Sequence, residues 1–332
     1  MELGKSTARA GEKGIFVISV DFEFAWGYID QELDKKAERN IRQELAVFPR
    51  LISLLEKYNM PATWAIVGHL LEKNCQWENG LPHPEYSRPI MKEEKKDWFF
   101  NHPKPGEPAS PLWYDTENLV RIISKSKAGH EIASHSYAHL IFDEKTTKGS
   151  AIKTDLANCR RIHQENNLPF KTFVFPRNQE GYHSLLKEQG IICYRGASEK
   201  WYGNFHAPIK RIFNLASYYF PGSNNSLPHF HQSGLINIPD SLLFIGRNGL
   251  RKLVSPGAVY RKAAKGLGKA SRAKNIFHFW FHPSNFIDQT EIQLEIFEKI
   301  LARADYLRQE RKLEILTMGQ VANRWLEKHS NG

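Results

Sequence analysis

Short apolar runs and amphipathic stripes alternate along most of the chain. Residues 15–20 (IFVISV) are apolar and rich in β-branched side chains, the pattern of a buried strand, and Asp21 stands at its end. Ile41, Leu45, Phe48, Ile52 and Leu55 then recur at intervals of four, three, four and three, which predicts a helix that Asn59 and Pro61 stop. Residues 62–68 (ATWAIVG) predict a second strand. The same order recurs as a helix near 117–127, strand HEIAS, a helix near 154–166, strand TFVF, a helix near 182–189 and strand IICY. Strand IFHFWF, a helix over 290–309, strand EILTM and a closing helix over 321–328 complete it. Alternation of this kind predicts an α/β fold with a parallel sheet covered by helices, and so many units favour a barrel over an open sheet.

Two stretches break the rhythm. Residues 74–115 hold seven of the 17 prolines and three of the eight tryptophans (Trp77, Trp98, Trp113), and residues 200–240 are rich in Tyr, Phe, His, Pro and Asn. Their aromatic content predicts ordered walls around a site, or a cover over otherwise exposed core. The expected organisation is a flexible tail over 1–14 and one barrel domain over 15–328, with long loops at 74–115 and 200–240.

Composition is that of a globular protein, with 41% hydrophobic and 25% charged residues. Charge adds something the pattern does not. The chain carries 46 Lys and Arg against 36 Asp and Glu, and nine of the basic residues lie in the acid-free segment 241–275. The remainder is nearly neutral and has no zinc-finger or RNP-like motif, which argues against nucleic acid as a partner. Cys75, Cys159 and Cys193 are too widely spaced for a disulfide framework or a CxxC clip, and read as reduced packing residues. No apolar run reaches the roughly 18 residues of a membrane span, and the polar start predicts a soluble cytoplasmic protein.

Titratable and polar residues follow one predicted strand after another, where α/β barrels build their active sites. Asp21 and Glu23 end the first strand, His135 and His139 follow HEIAS, Arg177 follows TFVFP, Arg195 follows IICY and His282 ends IFHFWF. Two imidazoles four residues apart would share one face of a helical turn. A carboxylate from another strand would complete a two-His, one-carboxylate metal site with a position open to water. His278 falls inside its strand and reads as packing. Taken singly, an HxxxH pair or an Asp-x-Glu has ordinary surface and capping explanations; the combination at equivalent strand ends is what points to a site.

The order SVDFEFAWG, SHSYAHL, FVFPRNQ and HFWFHP resembles the polysaccharide deacetylase family, also called the NodB-homology or carbohydrate esterase family 4 group, over about residues 15–318. The resemblance implies a distorted (β/α)7-8 barrel with its active site at the C-terminal strand ends. It also implies metal-dependent hydrolysis of an N-acyl group, usually N-acetyl, on a sugar. The divalent ion is usually Zn2+, and Co2+, Ni2+ or Mn2+ also suit nitrogen and oxygen ligands. The family's general base matches Asp21, its metal ligands Glu23, His135 and His139, and its general acid His282. This sequence departs from the family pattern in three ways. Phe22 separates the two acids. Arg177, the counterpart of the arginine that orients the base, follows Pro176 instead of preceding a proline. Arg195 occupies the strand end where an acid normally tunes the late histidine. Trp26, Arg195 and Trp280 are the candidate sugar-binding residues, with the loop tryptophans as further stacking surfaces.

Two other classes stay in view. One is an amidohydrolase of the same barrel type acting on a small non-sugar amide; the other is an inactive glycan-binding relative. The basic segment adds a partner. Arg261, Lys265, Lys269 and Arg272 fall at helical spacing, with Val259, Ala263, Leu267 and Ala270 as a weak apolar face. A partly helical segment there, despite Gly266 and Gly268, would allow peripheral contact with the anionic inner face of a membrane and access to a lipid-linked sugar. A solvated, solubilising loop is the competing expectation.

Overall fold

The computed structural model describes residues 13–73, 75–89, 97–105, 107, 110–198, 213, 215–220 and 222–330. Most of the expected tail (1–12) and parts of both long loops (74, 90–96, 106, 108–109, 199–212, 214 and 221) lie outside the described residues. Lys13 and Gly14 belong to the fold, because strand β1 (Gly14–Phe22) already starts at Gly14 and the Lys13 ammonium pairs with Glu314.

Helix α1 (Lys35–Lys57) starts earlier than the apolar stripe because Asp34 caps it, its carboxylate accepting from the Ala37 N–H at 2.7 Å. Strand β2 (Thr63–Ile66) follows, and then a small antiparallel hairpin of β3 (Trp77–Glu78) and β4 (Leu81–Pro82) inside the first long loop. The alternation continues through α2 (Leu119–Lys125), β5 (Glu131–Ser134), α3 (Gly149–Glu165), β6 (Thr172–Val174), α4 (His183–Glu188) and β7 (Cys193–Arg195). Three two-residue strands come next: β8 (His229–Phe230), β9 (Ile236–Asn237) and β10 (Leu242–Leu243). Helix α5 (Pro256–Ala273), β11 (Ile276–Phe281), α6 (Thr290–Gln309), β12 (Leu313–Ile315) and α7 (Met318–Ser330) end the described chain.

The main sheet is parallel except for β8, and runs β10-β11-β1-β2-β5-β6-β7-β9-β8, with β12 also on β1. What curls it shut is the extended segment 236–244. Its first half hydrogen-bonds to the β7 side, Ile238 N–H to Tyr194 O and Asp240 N–H to Gly196 O. Its second half bonds to β11, Ser241 N–H to His278 O and Phe244 N–H to Trp280 O. A distorted barrel of seven staves results, with β7 across the interior from β1. The expected loop over 200–240 therefore contains β8 and β9, whose two-residue pairings, interrupted by Pro239, are too short to register as a strand pattern.

Alternation along the staves sorts the interior into a dry floor and a polar mouth. Val17, Ala65, Ala133, Val174, Cys193, Ile236, Ile238 and Ile276 fill the lower barrel, and Met318, Val321 and Ala322 of α7 plug it from below. Two residues further along each strand stand Ser19, then Asp21; Arg195; and His278, then Trp280 and His282. The strand phase that buries the floor thus also aims the titratable side chains at one mouth.

The acid-free segment 241–275 is not a loop. It contains β10 and the 18-residue helix α5, capped by the Ser255 hydroxyl and starting at Pro256. Gly266, which weakens a helix in isolation, is needed here: a Cβ on it would lie 2.3 Å from the Phe277 ring of β11. The helix lies that close to the sheet, burying Val259, Ala263, Leu267 and Ala270 and exposing Arg261, Lys265, Lys269 and Arg272.

Candidate active site

Asp21, Glu23, His135, His139 and His282 meet at the barrel mouth. Glu23 follows β1 directly, and its Oε2 lies 3.3 Å from His135 Nε2 and 2.9 Å from His139 Nε2. These three ligand-type atoms all fall within 4.8 Å of one another. His282, at the end of β11, holds its Nε2 3.6 Å from both Asp21 Oδ2 and Glu23 Oε1. Only Glu23 and His282 open toward solvent, with side chains 19% and 25% exposed, so reactants approach from their side.

The histidine pair does not sit on a helical turn. Residues 135–139 form an irregular turn in which Ser136 (φ 68°) and His139 (φ 53°) adopt left-handed backbone. Asp155 of α3 holds that shape. Its carboxylate accepts from the Ser136 hydroxyl (2.9 Å), the Tyr137 N–H (3.0 Å), the Ala138 N–H (3.1 Å) and the Tyr86 hydroxyl (2.7 Å). The sequence reading missed Asp155, which looks like any polar residue inside a helix.

These side chains fit a divalent cation. The His135 Nδ1–H donates to Val174 O at 2.8 Å, which leaves a lone pair on Nε2 facing the Glu23 carboxylate. His135 Nε2 and both ring nitrogens of His139 are buried without a well-directed hydrogen bond. Lone pairs and a carboxylate converging in a buried place call for a positive charge between them.

Electrostatics keep both acids ionised. Burial pushes the Asp21 carboxyl up, but the Arg195 guanidinium, with His282 and His135, outweighs it and holds the group below the usual carboxylate range. Glu23 is likewise pushed up by burial and drawn well below that range by His282, His139 and His135. Burial lowers His139 despite the nearby Glu23.

Four expected roles do not match the geometry. Arg177 does not reach Asp21. It adopts φ 54° and turns outward, donating to Asp30 Oδ1 at 2.5 Å and Gly27 O at 3.3 Å. Arg195 is not a sugar-binding residue but the partner of Asp21. Its side chain is fully buried, with Nη1 2.6 Å from Oδ1 and Nη2 2.7 Å from Oδ2. It donates further to Ser19 Oγ and Asn178 Oδ1, and stacks 4.2 Å from the Trp280 ring. Trp280 is mostly buried, its Nε1–H fixed on Asp240 at 2.8 Å. Trp26 is wholly buried, its ring 4.3 Å from His69 and its Nε1–H on Trp113 O. Among the loop tryptophans, Trp98 and Trp113 are also buried, and Trp98 donates to Ala138 O, bracing the histidine turn. His278 packs inside the barrel against Ser19 Oγ, as its strand position predicts.

Residues 43–180 match the family model described as polysaccharide deacetylase. That span holds His135, His139 and Asp155, and leaves Asp21, Glu23 and His282 outside it. A protein assigned as a polysaccharide deacetylase from Mycobacterium smegmatis has a similar fold, with 14% identity, a TM-score of 0.61 and 98% of this chain and 94% of that one covered. The allantoinase PuuE is comparable, at 10% identity, a TM-score of 0.63 and coverage of 96% and 92%. A GH57-type branching enzyme from the hyperthermophilic archaeon Pyrococcus horikoshii aligns at 10% identity and a TM-score of 0.54, covering 94% and 70%. At such identities the likeness concerns the fold. No curated protein matches the chain in sequence. The four motifs stand in order along the chain, residues 43–180 match the polysaccharide deacetylase family model, and the strands close into a barrel of the same fold as these structures.

Proposed function

We propose that this chain, through one barrel domain over residues 15–328, is a metal-dependent hydrolase that removes an N-acyl group, N-acetyl first among them, from a sugar in a glycan or glycan precursor. The observation that carries the proposal is the meeting of two ionised carboxylates, two histidines with free lone pairs and a third histidine 3.6 Å from both acids. Amide hydrolysis needs a nucleophile made from water, charge stabilisation at the carbonyl oxygen and a proton for the departing nitrogen. Glu23, His135 and His139 would hold the ion, zinc by preference. When bound, it supplies a positive charge that polarises the acyl carbonyl and acidifies water.

The chain's own residues do the rest. Asp21 takes a proton from water at Oδ2, the oxygen turned toward His282. Arg195 fixes the plane of that carboxylate and keeps it ionised, so Asp21 serves as a base and not as a further ligand. His282 Nε2 delivers a proton to the sugar nitrogen as the C–N bond breaks. An inactive glycan binder would have no use for a base held by a buried bidentate arginine.

The exposed basic face of α5 supports peripheral contact with an anionic bilayer at the cytoplasmic face, where a lipid-linked sugar would be met. Beside it, in the turn Gly249–Leu253, Leu250 and Leu253 are 67% and 73% exposed and flank Arg251 and Lys252. The Tyr219 hydroxyl donates to Leu253 O, and its neighbour Phe220 is 60% exposed. Exposed apolar tips among basic residues suit an interfacial membrane site. Among the described residues no helix is long and apolar enough to cross a membrane.

The test is acetate or formate release from N-acylated oligosaccharides and polyprenyl-linked sugars, with a metal-chelated control. Release from sugars that stops on chelation is expected. Hydrolysis of small ureides or amides with no sugar substrate would overturn the reading in favour of the non-sugar amidohydrolase.

A further inference from the structure

A second group of metal-ligand side chains lies outside this site, under the first long loop. His69 follows β2, while Cys75, His83 and His102 come from the loop or its edges. Their ligand atoms all lie within 4.8 Å of one another. His69 Nε2 is 2.8 Å from His83 Nε2, 3.1 Å from His102 Nε2 and 3.3 Å from Cys75 Sγ, and Cys75 Sγ is 3.4 Å from His102 Nε2. A tetrahedral zinc site with metal–nitrogen near 2.0–2.1 Å and metal–sulfur near 2.3 Å spaces its ligand atoms roughly 3.3–3.6 Å apart. The observed cluster is nearly that size.

The outer partners of these histidines turn their Nε2 lone pairs inward. His102 Nδ1 lies 2.8 Å from Pro103 O, an acceptor only, so its proton is on Nδ1 and Nε2 carries a lone pair. His83 Nδ1 faces Glu85 Oε1 at 3.3 Å and the Tyr137 oxygen at 3.4 Å, and the Tyr137 hydroxyl already donates to Glu72. His83 Nε2 is therefore also a lone pair. Both point at His69 Nε2, which has one proton at most and can satisfy only one of them; the Cys75 thiol and the Tyr114 hydroxyl, each 3.4 Å from His102 Nε2, are the other donors in reach. If His69 carries its proton on Nε2, its buried Nδ1, which has no hydrogen-bond partner, is left as an orphaned acceptor. With the proton on Nδ1, three lone pairs meet. His69 Nδ1 has no partner in either tautomer; what a cation relieves is the meeting of the three Nε2 lone pairs, which it satisfies at once.

We infer that His69, Cys75, His83 and His102 form a structural metal site that takes zinc through three Nε2 atoms and the Cys75 thiolate, the thiol proton leaving on binding. Four protein ligands close the coordination shell, so the site fastens and does not catalyse. The backbone carbonyl of Pro103 and the Glu85 carboxylate orient two of the ligands in the way outer partners of zinc histidines do. What the site fastens is the stretches of the first long loop that carry Cys75, His83 and His102, fixed to the end of β2 through His69. The pin also reaches the active site, because the Trp26 ring packs on His69 three residues after Glu23.

Cobalt substitution tests this on the intact protein. The ligands proposed at the barrel mouth include no sulfur, so a thiolate-to-cobalt charge-transfer band in the near ultraviolet reports the second site alone. Zinc analysis should give two ions per chain in the wild type and one in a His135→Ala, His139→Ala variant. That variant should keep the thiolate band, and Cys75→Ser should lose it while His102→Gln weakens it. A wild-type protein that binds cobalt with no thiolate band overturns the inference whatever the variants do. One zinc per chain that vanishes with His135 and His139 does the same, yet leaves the active-site reading intact.

Discussion

Arg195 holds Asp21 by both oxygens, at 2.6 and 2.7 Å, from the stave on the far side of the barrel. Under the proposed function, a buried guanidinium in this position would do the orienting that the family pattern leads one to expect of Arg177. Arg195→Lys should therefore keep the charge but lose the fork, since an ammonium cannot grip two oxygens in one plane. Turnover should fall with metal content unchanged. Arg195→Met leaves a buried carboxylate unpaired and should cost about 3–5 kcal/mol of stability by denaturant titration. Wild-type turnover in Arg195→Lys would show that Asp21 needs only a nearby charge.

Binding and chemistry should separate at the barrel mouth. Asp21→Asn is expected to retain the metal and lose on the order of 10²-fold or more in turnover. His135→Ala should lose the active-site ion. The check is metal analysis beside activity per bound metal. Loss of metal in Asp21→Asn, with normal turnover per remaining ion, would make Asp21 a ligand.

Asp155 touches neither carboxylate nor imidazole, yet the Tyr86 and Ser136 hydroxyls, the Tyr137 and Ala138 amides and the Cys159 thiol all donate to it. Asp155→Ala should weaken active-site metal affinity by roughly 10–100-fold, the usual cost of losing an outer-shell support. Competitive chelator titration measures this. A variant that is merely less stable, with unchanged affinity, would confine Asp155 to folding.

Acid should destabilise the protein through His163 of α3. Burial pulls its imidazole down to about 4 from the usual 6.5, while its Nδ1–H donates to Pro169 O at 2.7 Å. The folded value is the depressed one, so the contribution is complete above pH 6.5. It is lost as pH falls from 6.5 toward 4, where the unfolded chain takes a proton that the folded one refuses. The full span is worth roughly 3 kcal/mol. Urea midpoints measured from pH 7 to 4 should fall less steeply in His163→Asn, which can still donate to Pro169. An unchanged slope would remove His163 as a contributor.

Vesicle sedimentation checks the membrane contact. Binding should rise with anionic lipid, fall with salt, and weaken both in Leu250→Gln, Leu253→Gln and when Arg261, Lys265 and Lys269 become Gln. Each basic residue near the surface contributes about 1 kcal/mol. Indifference to anionic lipid would return the segment to a solubilising surface.

The late histidine has its own signature. Replacing His282 should hurt amide hydrolysis more than hydrolysis of an activated ester, whose leaving group needs no proton. Equal losses on both would assign it a different task.

The sequence by itself determined the alternation of strands and helices, and with it the strand ends where Asp21, Glu23, His135, His139 and His282 stand. Burial repeats every second residue in a strand and about every 3.6 in a helix, and such periods are written locally. Tertiary structure alone decided what lies across a gap. Arg195 meets Asp21 because segment 236–244 closes the barrel, and nothing local at either residue encodes that distance of 174 positions. Arg177 turns away for a reason just as nonlocal, the Asp30 carboxylate waiting on the opposite rim. Gly266 reads as a helix breaker until the Phe277 ring shows why no side chain fits there. Cys75 reads as a packing residue until the loop folds it against three histidines from positions 69, 83 and 102. Periodicity reports which face a residue turns to the core, whereas partners far apart in sequence are chosen by chain closure and loop packing.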